Sequence, residues 1–319
     1  MEGRARETTT LIGYPDGIYA IDADYVRPQL AAVHLIVHAG RAALVDAGTS
    51  HSVPHVLGAL ATLGIDRAAV DWLLLTHVHL DHAGGAGQLM HALPNARAVL
   101  HPRGAPHMIA PQKLVDASIV VYGAENFARL YGEILPIDAA RVQVTHDGES
   151  IALAGRRFEI LHTPGHALHH QAFVDHGGAQ GPNVFPGDTL GICYPNFTRE
   201  GRAMVIPTTT PSQFDPEQLV ASIRRVLALA PRAAYLTHFG RVTDVARIGA
   251  DLERLVLRFA QLAREHLQRD AIRTAMRDCL LAEARAHGCT DDETHIDALL
   301  ANDLDLNTDG LLAWLARRK

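Results

Sequence analysis

The chain has little cysteine. Its 319 residues include three, at Cys193, Cys279 and Cys289. An odd and sparse set of this kind does not form a disulfide framework, and it fits a protein of a reducing compartment.

Long apolar runs and an excess of basic residues are also missing. No stretch approaches the roughly 18 apolar residues that a membrane span needs, and residues 1–10 contain no apolar signal core. We therefore expect a cytoplasmic protein without a membrane partner.

The formal net charge is -6, with Lys and Arg dispersed, which argues against nucleic acid as a substrate or partner. What the chain does have is 48% hydrophobic residues, ample for a globular core.

One segment concentrates metal-ligand side chains. It follows the apolar residues 72–75 and contains His77, His79, Asp81 and His82. Alternate side chains of an extended segment project to one face, so His77 and His79 are expected to bind one ion together. Asp81 and His82 lie further along, where the chain turns, and offer a second set of ligands. The segment therefore indicates half of a dinuclear metal centre.

Three later segments of apolar, strand-like sequence end in further residues of ligand type. These are His166 in residues 161–166, Asp188 in residues 185–189 and His238 in residues 234–240. Binding and catalytic residues are often found on loops that follow strand ends, because the strands hold these loops in a rigid scaffold. Imidazole and carboxylate ligands without thiolate suit zinc, iron or manganese.

The order and chemistry of these residues resemble those of the metallo-β-lactamase superfamily, closest in style to its glyoxalase II-like members. The resemblance spans about residues 10–240 and implies a dinuclear metal-dependent hydrolase. It implies that one ion binds His77, His79 and His166, that a second binds Asp81, His82 and His238, and that Asp188 bridges them. The ions are expected to be Zn²⁺, with iron or manganese as alternatives.

Three further residues are candidates for supporting roles. Asp46 matches an acidic position that the superfamily carries at the end of an early strand, where it would hold a ligand histidine in the right tautomer; the alternative is an aspartate that bonds its own turn. His169 and His170 would point to opposite faces of a strand, so at most one approaches the metals, and His169 is the candidate. Tyr194 is the candidate for a pocket hydroxyl, with ordinary packing as the alternative.

Strand and helix patterns alternate through the first part of the chain. Strands are expected at residues 18–22, 33–37, 42–45 and 72–75, with a helix at 52–63 and a second group of short strands between 98 and 185. This grouping suggests two facing sheets with helices outside, which is the four-layer αββα sandwich that the resemblance implies. Residues 103–136 and 190–213 interrupt the pattern and are expected to decide substrate choice.

From residue 241 the pattern becomes that of amphipathic helices. Helical spacing is clear at 242–267 and 271–286, and two short helices are expected at 295–302 and 309–317. We expect a metallohydrolase domain at 1–240 and a helical region at 241–319 that caps the active site or forms a homodimer.

Residues 305–310 match the start of an EF-hand calcium loop, but Ala316 stands at the twelfth position, where the calcium-binding glutamate should be. Asn307, Thr308 or Asp309 is therefore expected to cap the final helix.

The expected reaction is hydrolysis of a small acyl substrate. A hydroxide bridging the two ions would cleave a thioester, lactone or related ester. Asp81 and Asp188 are the candidate catalytic carboxylates, and Asp81 would orient the hydroxide. Two other functions stay open: an oxidoreductase of the sulfur dioxygenase type with a single iron on His77, His166 and Asp188, and a metal-containing regulatory or binding protein without hydrolytic turnover.

Overall fold

A computed structural model describes residues 10–318. The expectation about a signal segment concerns residues 1–10 and lies almost wholly outside this range. The described chain divides into two compact units. The first contains the residues up to Leu100, Ala105–Val144 and Leu153–Gly155, and the second contains His101–Gly104, Thr145–Ala152 and the residues from Arg156 onward.

The first unit contains a seven-stranded sheet whose spatial order follows the sequence. Its strands are β1 (Leu11–Tyr14), β2 (Ile18–Asp22), β3 (Ala32–His38), β4 (Arg41–Val45), β5 (Val70–Leu74), β6 (Arg97–Leu100) and β7 (Val142–Val144). Neighbours from β1 to β4 are antiparallel, and those from β4 to β7 are parallel. The parallel neighbours are joined by helical crossovers: α1 (Val53–Thr62), α2 (Leu80–Ala83), α3 (Ala86–Ala92), α4 (Ala105–Ile109), α5 (Gln112–Tyr122) and α6 (Ala124–Tyr131).

The carboxyl ends of β4 and β5 lie side by side. The two strands run parallel, and Val45 pairs with Leu74 at their last residues. Asp46 follows the first of them, and the segment from Thr76 to His82 follows the second. Parallel strands bring their carboxyl ends to one edge of a sheet, where ligand sites form. The sheet therefore brings Asp46 to the four-ligand segment.

The second sheet has six strands, five of them wholly within the second unit. They are β8 (Ser150–Leu153), β9 (Arg156–His162), β10 (Gln171–Asp175), β11 (Asn183–Phe185), β12 (Ala233–Leu236) and β13 (Gly240–Val242), in the order 13-12-11-10-9-8. β10 is antiparallel to β9 and to β11, whereas β11 and β12 are parallel. The carboxyl ends of β9, β11 and β12 thus share one edge, and His166, Asp188 and His238 follow them.

Four helices belong to the second unit: α7 (Pro216–Leu227), α8 (Val245–His266), α9 (Arg269–Ala286) and α10 (Glu293–Arg317). The apolar residues that predicted α8, from Val245 to Phe259, are buried along one face, which confirms that helix. The division at residue 240 stays a prediction, as does a cap or dimer role for the helices. No helix among residues 10–318 combines the length and the apolar character needed to span a membrane.

The end of the chain corrects one expectation. α10 is a single helix of 25 residues, so the prediction of two short helices was wrong. Asn307 and Thr308 lie inside it and are buried, and neither caps it. The cap is Asp292, whose side chain accepts a hydrogen bond from the amide of His295. Asn, Thr and Gly are poor helix formers, and the tertiary contacts of Asn307, described below, explain why the helix continues through them.

Candidate metal centre

The four ligand-type residues of the first unit lie close together. The rings of His77 and His79 have centroids 4.5 Å apart, and those of His77 and His82 are 4.0 Å apart. Nε2 of His82 lies 3.8 Å from Oδ2 of Asp81. Donor atoms in each of these three pairs are within 4.8 Å of each other, as ligands of one ion or of two neighbouring ions must be.

Asp46 fixes the orientation of this segment from the end of β4. The Thr76 amide donates to its Oδ1 at 2.9 Å, and the Thr76 hydroxyl donates to the same carboxylate. Nδ1 of His82 lies 2.8 Å from Oδ2 of Asp46. Because a carboxylate only accepts, Nδ1 carries the ring proton and Nε2 keeps its lone pair for an ion. Asp46 thus contacts both the residue before the segment and the His82 ring, and its role in metal binding stays a prediction.

The second unit brings its three candidate ligands together around Asp188. Nε2 of His166 lies 3.4 Å from Oδ2 of Asp188, and Nε2 of His238 lies 3.8 Å from Oδ1. All three residues are buried. The turn that carries His166 requires a glycine at position 165, where φ is +133° and an added Cβ would lie 2.2 Å from the amide nitrogen of Leu219.

Neighbouring polar groups hold two of these ligands. The Thr208 carbonyl lies 3.3 Å from Nδ1 of His166, which places the ring proton on Nδ1 and leaves the Nε2 lone pair available to an ion. The amide of Asp188 donates to Nε2 of His170 at 3.1 Å, and Nδ1 of His170 lies 2.8 Å from the Thr163 hydroxyl. His170 is therefore a neutral imidazole that supports the backbone at Asp188.

Tyr194 and His169 were the other residues expected near the site. Both are buried, and the Tyr194 hydroxyl donates to Oδ1 of Asp303 at 3.1 Å. Their expected roles stay predictions.

Burial raises the pKa of the Cys193 thiol to about 12, so this thiol is protonated at neutral pH and is unsuited to act as a nucleophile.

A cluster of three tyrosines in the first unit, Tyr25, Tyr122 and Tyr131, lies near Asp81. The hydroxyls of Tyr25 and Tyr131 are 3.3 Å apart, and Tyr122 also hydrogen-bonds Tyr131. Burial, and after it the Asp81 carboxylate, raises the pKa of Tyr25. Burial, followed by Tyr25 and Asp81, does the same for Tyr131. These hydroxyls are neutral hydrogen-bond donors at any working pH.

Several residues that support the ligands were not found from the sequence. Thr76 directly precedes the four-ligand segment, and that adjacency is a usable signal. The choice of His169 over its neighbour left His170 without a role. Thr208 and Asn307 could not be found from local sequence, because Thr208 contacts His166 at a separation of 42 positions and Asn307 contacts Thr209 and Pro207 at separations of 98 and 100.

The donors of each unit suit a divalent metal ion. They are imidazole nitrogens and carboxylate oxygens, and each group contains at least two imidazoles. Asp46 orients the ring of His82, and the Thr208 carbonyl orients the ring of His166. Such donors fit zinc, iron or manganese.

Comparisons with known proteins agree with this chemistry. The profile of the metallo-beta-lactamase superfamily matches residues 26–238, more than half of the chain. A metallo-beta-lactamase fold-containing protein of Sulfurisphaera tokodaii is 27% identical over 233 residues, which cover 71% of this chain and 80% of that protein. A solved structure of a metallo-beta-lactamase family protein from Thermus thermophilus is 22% identical, with a TM-score of 0.66, over 95% of this chain and 94% of that one. This last likeness shows the fold.

Hydroxyacylglutathione hydrolases are also among the relatives. The enzyme of Yersinia pestis (strain Pestoides F) is 29% identical over 186 residues, which cover 58% of this chain. The match spans about half of that enzyme's length (52%). It supports the glyoxalase II-like resemblance. This chain belongs to the metallo-β-lactamase superfamily, and it is a metal-dependent hydrolase with that superfamily's fold, a cluster of histidine and aspartate metal-binding groups, and additional C-terminal helices.

Proposed function

We propose that the protein is a dinuclear hydrolase that cleaves a thioester, lactone or related ester of a small molecule. One observation carries the dinuclear assignment. The two carboxylate oxygens of Asp188 approach different histidines, Oδ2 approaching His166 and Oδ1 approaching His238. The proposal gives these histidines to different ions, and a carboxylate placed in this way suits a bridging ligand.

The remaining ligands follow from the same assignment. His77 and His79 would join His166 at one ion, and Asp81 and His82 would join His238 at the other. When bound, two adjacent divalent ions lower the pKa of water and polarise a carbonyl, so no serine or cysteine nucleophile is needed.

The residues of the chain have separate tasks in this scheme. Asp46 and the Thr208 carbonyl keep the protons of His82 and His166 on Nδ1. The Asp81 carboxylate, half-buried beside His82, accepts a proton or a hydrogen bond from the attacking water. The neutral hydroxyls of the tyrosine cluster are donors for an oxygen of the substrate.

The substrate class is proposed from the relatives and from charge. Hydroxyacylglutathione is a thioester, and hydrolases named for it match this chain. The net charge of -6 is unfavourable for a polyanionic nucleic acid. After the third sheet-end ligand, His238, come Phe239 and Gly240, which offer no polar side chain for a peptide such as glutathione. We therefore propose a small acyl compound other than the glutathione thioester.

Metal content and hydrolysis test the proposal together. The protein purified without chelator is expected to contain about two zinc, iron or manganese ions per chain, and to hydrolyse members of a thioester and lactone panel. His79→Ala and Asp188→Ala should each lose metal and reduce kcat/KM by at least about 100-fold. His38→Ala, at the exposed last residue of β3, is the matched control and should change neither.

Other results would select another function. One iron per chain with oxygen consumption on a persulfide would replace hydrolysis by oxidation. Two ions per chain without turnover of any ester would instead indicate a regulatory or binding protein.

A further inference from the structure

The final helix, α10, makes several contacts with the loop at residues 190–214. Asp303, Asn307, Gly310, Trp314 and Arg317 recur at the three- and four-residue spacing of one helix face. Asp303 accepts from Tyr194, Trp314 packs edge-on against Phe214 with ring centroids 6.4 Å apart, and Arg317 donates to the carbonyls of Ser212 and Phe214. One face of the helix therefore contacts this segment at Tyr194 and between residues 207 and 214.

The tightest contacts are at Asn307. Its Nδ2 donates to the Pro207 carbonyl at 2.9 Å, and its Oδ1 accepts from the Thr209 amide at 2.6 Å. The Thr209 hydroxyl donates to the backbone carbonyl of Asn307 at 3.0 Å. A carbonyl only accepts and an amide N–H only donates, so the orientation of the Asn307 side chain is fixed. This side chain, 2% exposed, holds the backbone on both sides of Thr208.

Thr208 is the residue whose carbonyl receives the Nδ1 proton of His166. Its own hydroxyl lies 3.4 Å from the same nitrogen. A shift of the backbone at positions 207 and 209 would move this carbonyl and release the imidazole. The direction of the Thr208 carbonyl thus depends on contacts made by a helix about 100 residues further along the chain.

Gly310 adds an independent observation. A Cβ at this position would lie 1.5 Å from the Thr209 carbonyl oxygen, so the helix backbone touches the loop directly and glycine is required. Asn, Thr and Gly within four positions of a helix interior are unfavourable for helix stability. Since these residues lower the intrinsic stability of the helix, their presence is consistent with a role in contacting the loop rather than in forming the helix.

We infer that α10, through Asn307 and Gly310, positions the Thr208 carbonyl so that His166 keeps its proton on Nδ1 and presents Nε2 to a metal ion. Asn307 is a positioning residue and α10 is part of the metal-binding machinery. The inference rests on the proposed function only in taking His166 as a ligand. It assigns to the C-terminal helices a role that the family match over residues 26–238 does not include.

Metal affinity and the tautomer of His166 test the inference on the full chain. Asn307→Leu removes the three hydrogen bonds of this side chain, two with Thr209 and one with Pro207, at similar volume, and Gly310→Ala displaces the loop while keeping the Asn307 side chain. Each is expected to weaken zinc binding by about 10- to 100-fold in competition with a chelator. The control is Asp305→Asn, which removes ion pairs with Arg269 and Arg273 on an exposed part of the same helix and should leave zinc affinity within about twofold.

A spectroscopic measurement on the wild-type protein reports the tautomer of His166 directly. Nitrogen-15 spectra of histidine in the zinc-loaded chain, with His166 assigned from its absence in His166→Gln, should show zinc on Nε2 and a slowly exchanging proton on Nδ1. In Asn307→Leu that Nδ1 proton should exchange faster. Zinc on Nδ1 in the wild type, or unchanged affinity and exchange in folded Asn307→Leu and Gly310→Ala, would overturn the inference.

The same samples separate this inference from the proposed function. If His166→Gln loses zinc while the Asn307 and Gly310 variants keep wild-type affinity, the positioning role is wrong and the ligand assignment stands. If His166→Gln keeps full zinc affinity, the ligand assignment itself fails, and the inference fails with it.

Discussion

Arg156 and Asp175 form a buried ion pair within the second unit. Nε of Arg156 donates to Oδ1 of Asp175 at 2.8 Å, and a terminal guanidinium nitrogen donates to Oδ2 at 2.5 Å. The residues are 4% and 0% exposed, and the Gly177 amide also donates to Asp175. Asp175 ends β10, so the pair stabilises one end of the sheet that carries His166, Asp188 and His238.

Replacing the arginine alone should be costly for the fold. Arg156→Met leaves the Asp175 carboxylate buried without its cation, which is expected to lower the free energy of unfolding by about 3–5 kcal/mol. Denaturant unfolding of the metal-free protein measures the change. Arg157→Met, at the next residue, removes a surface pair with Glu159 and an exposed hydrogen bond to the Ser150 hydroxyl, and should cost less than about 1 kcal/mol. Equal losses in the two variants would contradict the assignment of a buried pair.

Asp46 is expected to control metal affinity rather than folding alone. Asp46→Asn keeps the shape and tolerates the positive φ of 61°, but it removes the negative charge that holds the proton on Nδ1 of His82. Zinc affinity should fall by about 10- to 100-fold, measured by chelator competition. Asp24→Asn is a matched control, because Asp24 also has a positive φ, of 49°, and is exposed. Unchanged zinc affinity in Asp46→Asn would count against an orienting role.

The tyrosine cluster predicts a loss of stability at high pH. Burial raises the pKa of Tyr131 above its ordinary value, so between pH 10 and the folded-state pKa the unfolded chain has lost a proton that the folded chain keeps. The free energy of unfolding must therefore fall as pH rises above about 10. Tyr131→Phe should flatten this fall between pH 9 and 11, whereas Tyr14→Phe, outside the cluster, should not. A steep fall that persists in Tyr131→Phe would exclude this residue as its cause.

The same cluster is proposed to contact substrate. Tyr122→Phe removes one hydroxyl of the network while retaining the ring, and it should raise KM for oxygen-rich acyl substrates more than it lowers kcat. The comparison is made between matched acyl groups with and without an oxygen substituent. A change that is equal for both members of the pair would show that the hydroxyl acts only on the fold.

His101 predicts a loss of stability at acid pH. Burial, with His162 and Arg103 adding to it, lowers the pKa of His101 to about 4, and the rings of His101 and His162 lie 4.2 Å apart. Between pH 6.5 and 4 the unfolded chain binds a proton that the folded chain excludes, so stability must fall as pH falls through this window. His101→Gln should reduce that slope, and His146→Gln, at an exposed position, should leave it unchanged. An unaltered slope in His101→Gln would contradict the prediction.

The sequence predicted those elements whose formation depends on residues close together in the chain. The strand at residues 18–22 was predicted with the bounds of β2, because an apolar pattern bounded by turn residues is contained in the segment itself. The ligand-type residues were predicted in the same way, since four of them fall within six positions. β13 is only three residues long and contains a glycine, so its sequence shows no alternation of apolar and polar residues from which a strand could be predicted. It forms a strand by pairing with β12.

Contacts distant in sequence account for what was missed. An interruption was predicted at residues 303–308, between helices expected at 295–302 and 309–317, because Asn and Thr favour helix ends. α10 instead continues through these residues. The stabilising partners are Pro207 and Thr209, and nothing near Asn307 in the sequence reveals them. The support of Asp188 by His170 was missed for the same reason.

The fit between α10 and residues 190–214 limits how these parts can be recombined. In a chimera with another superfamily member, exchanging the loop alone would place foreign side chains against Asn307, and a Cβ at Gly310 would meet any loop that follows the present path. The loop and the helix must therefore be exchanged together. Libraries that vary Tyr194 should vary Asp303, its hydrogen-bond partner, in the same step.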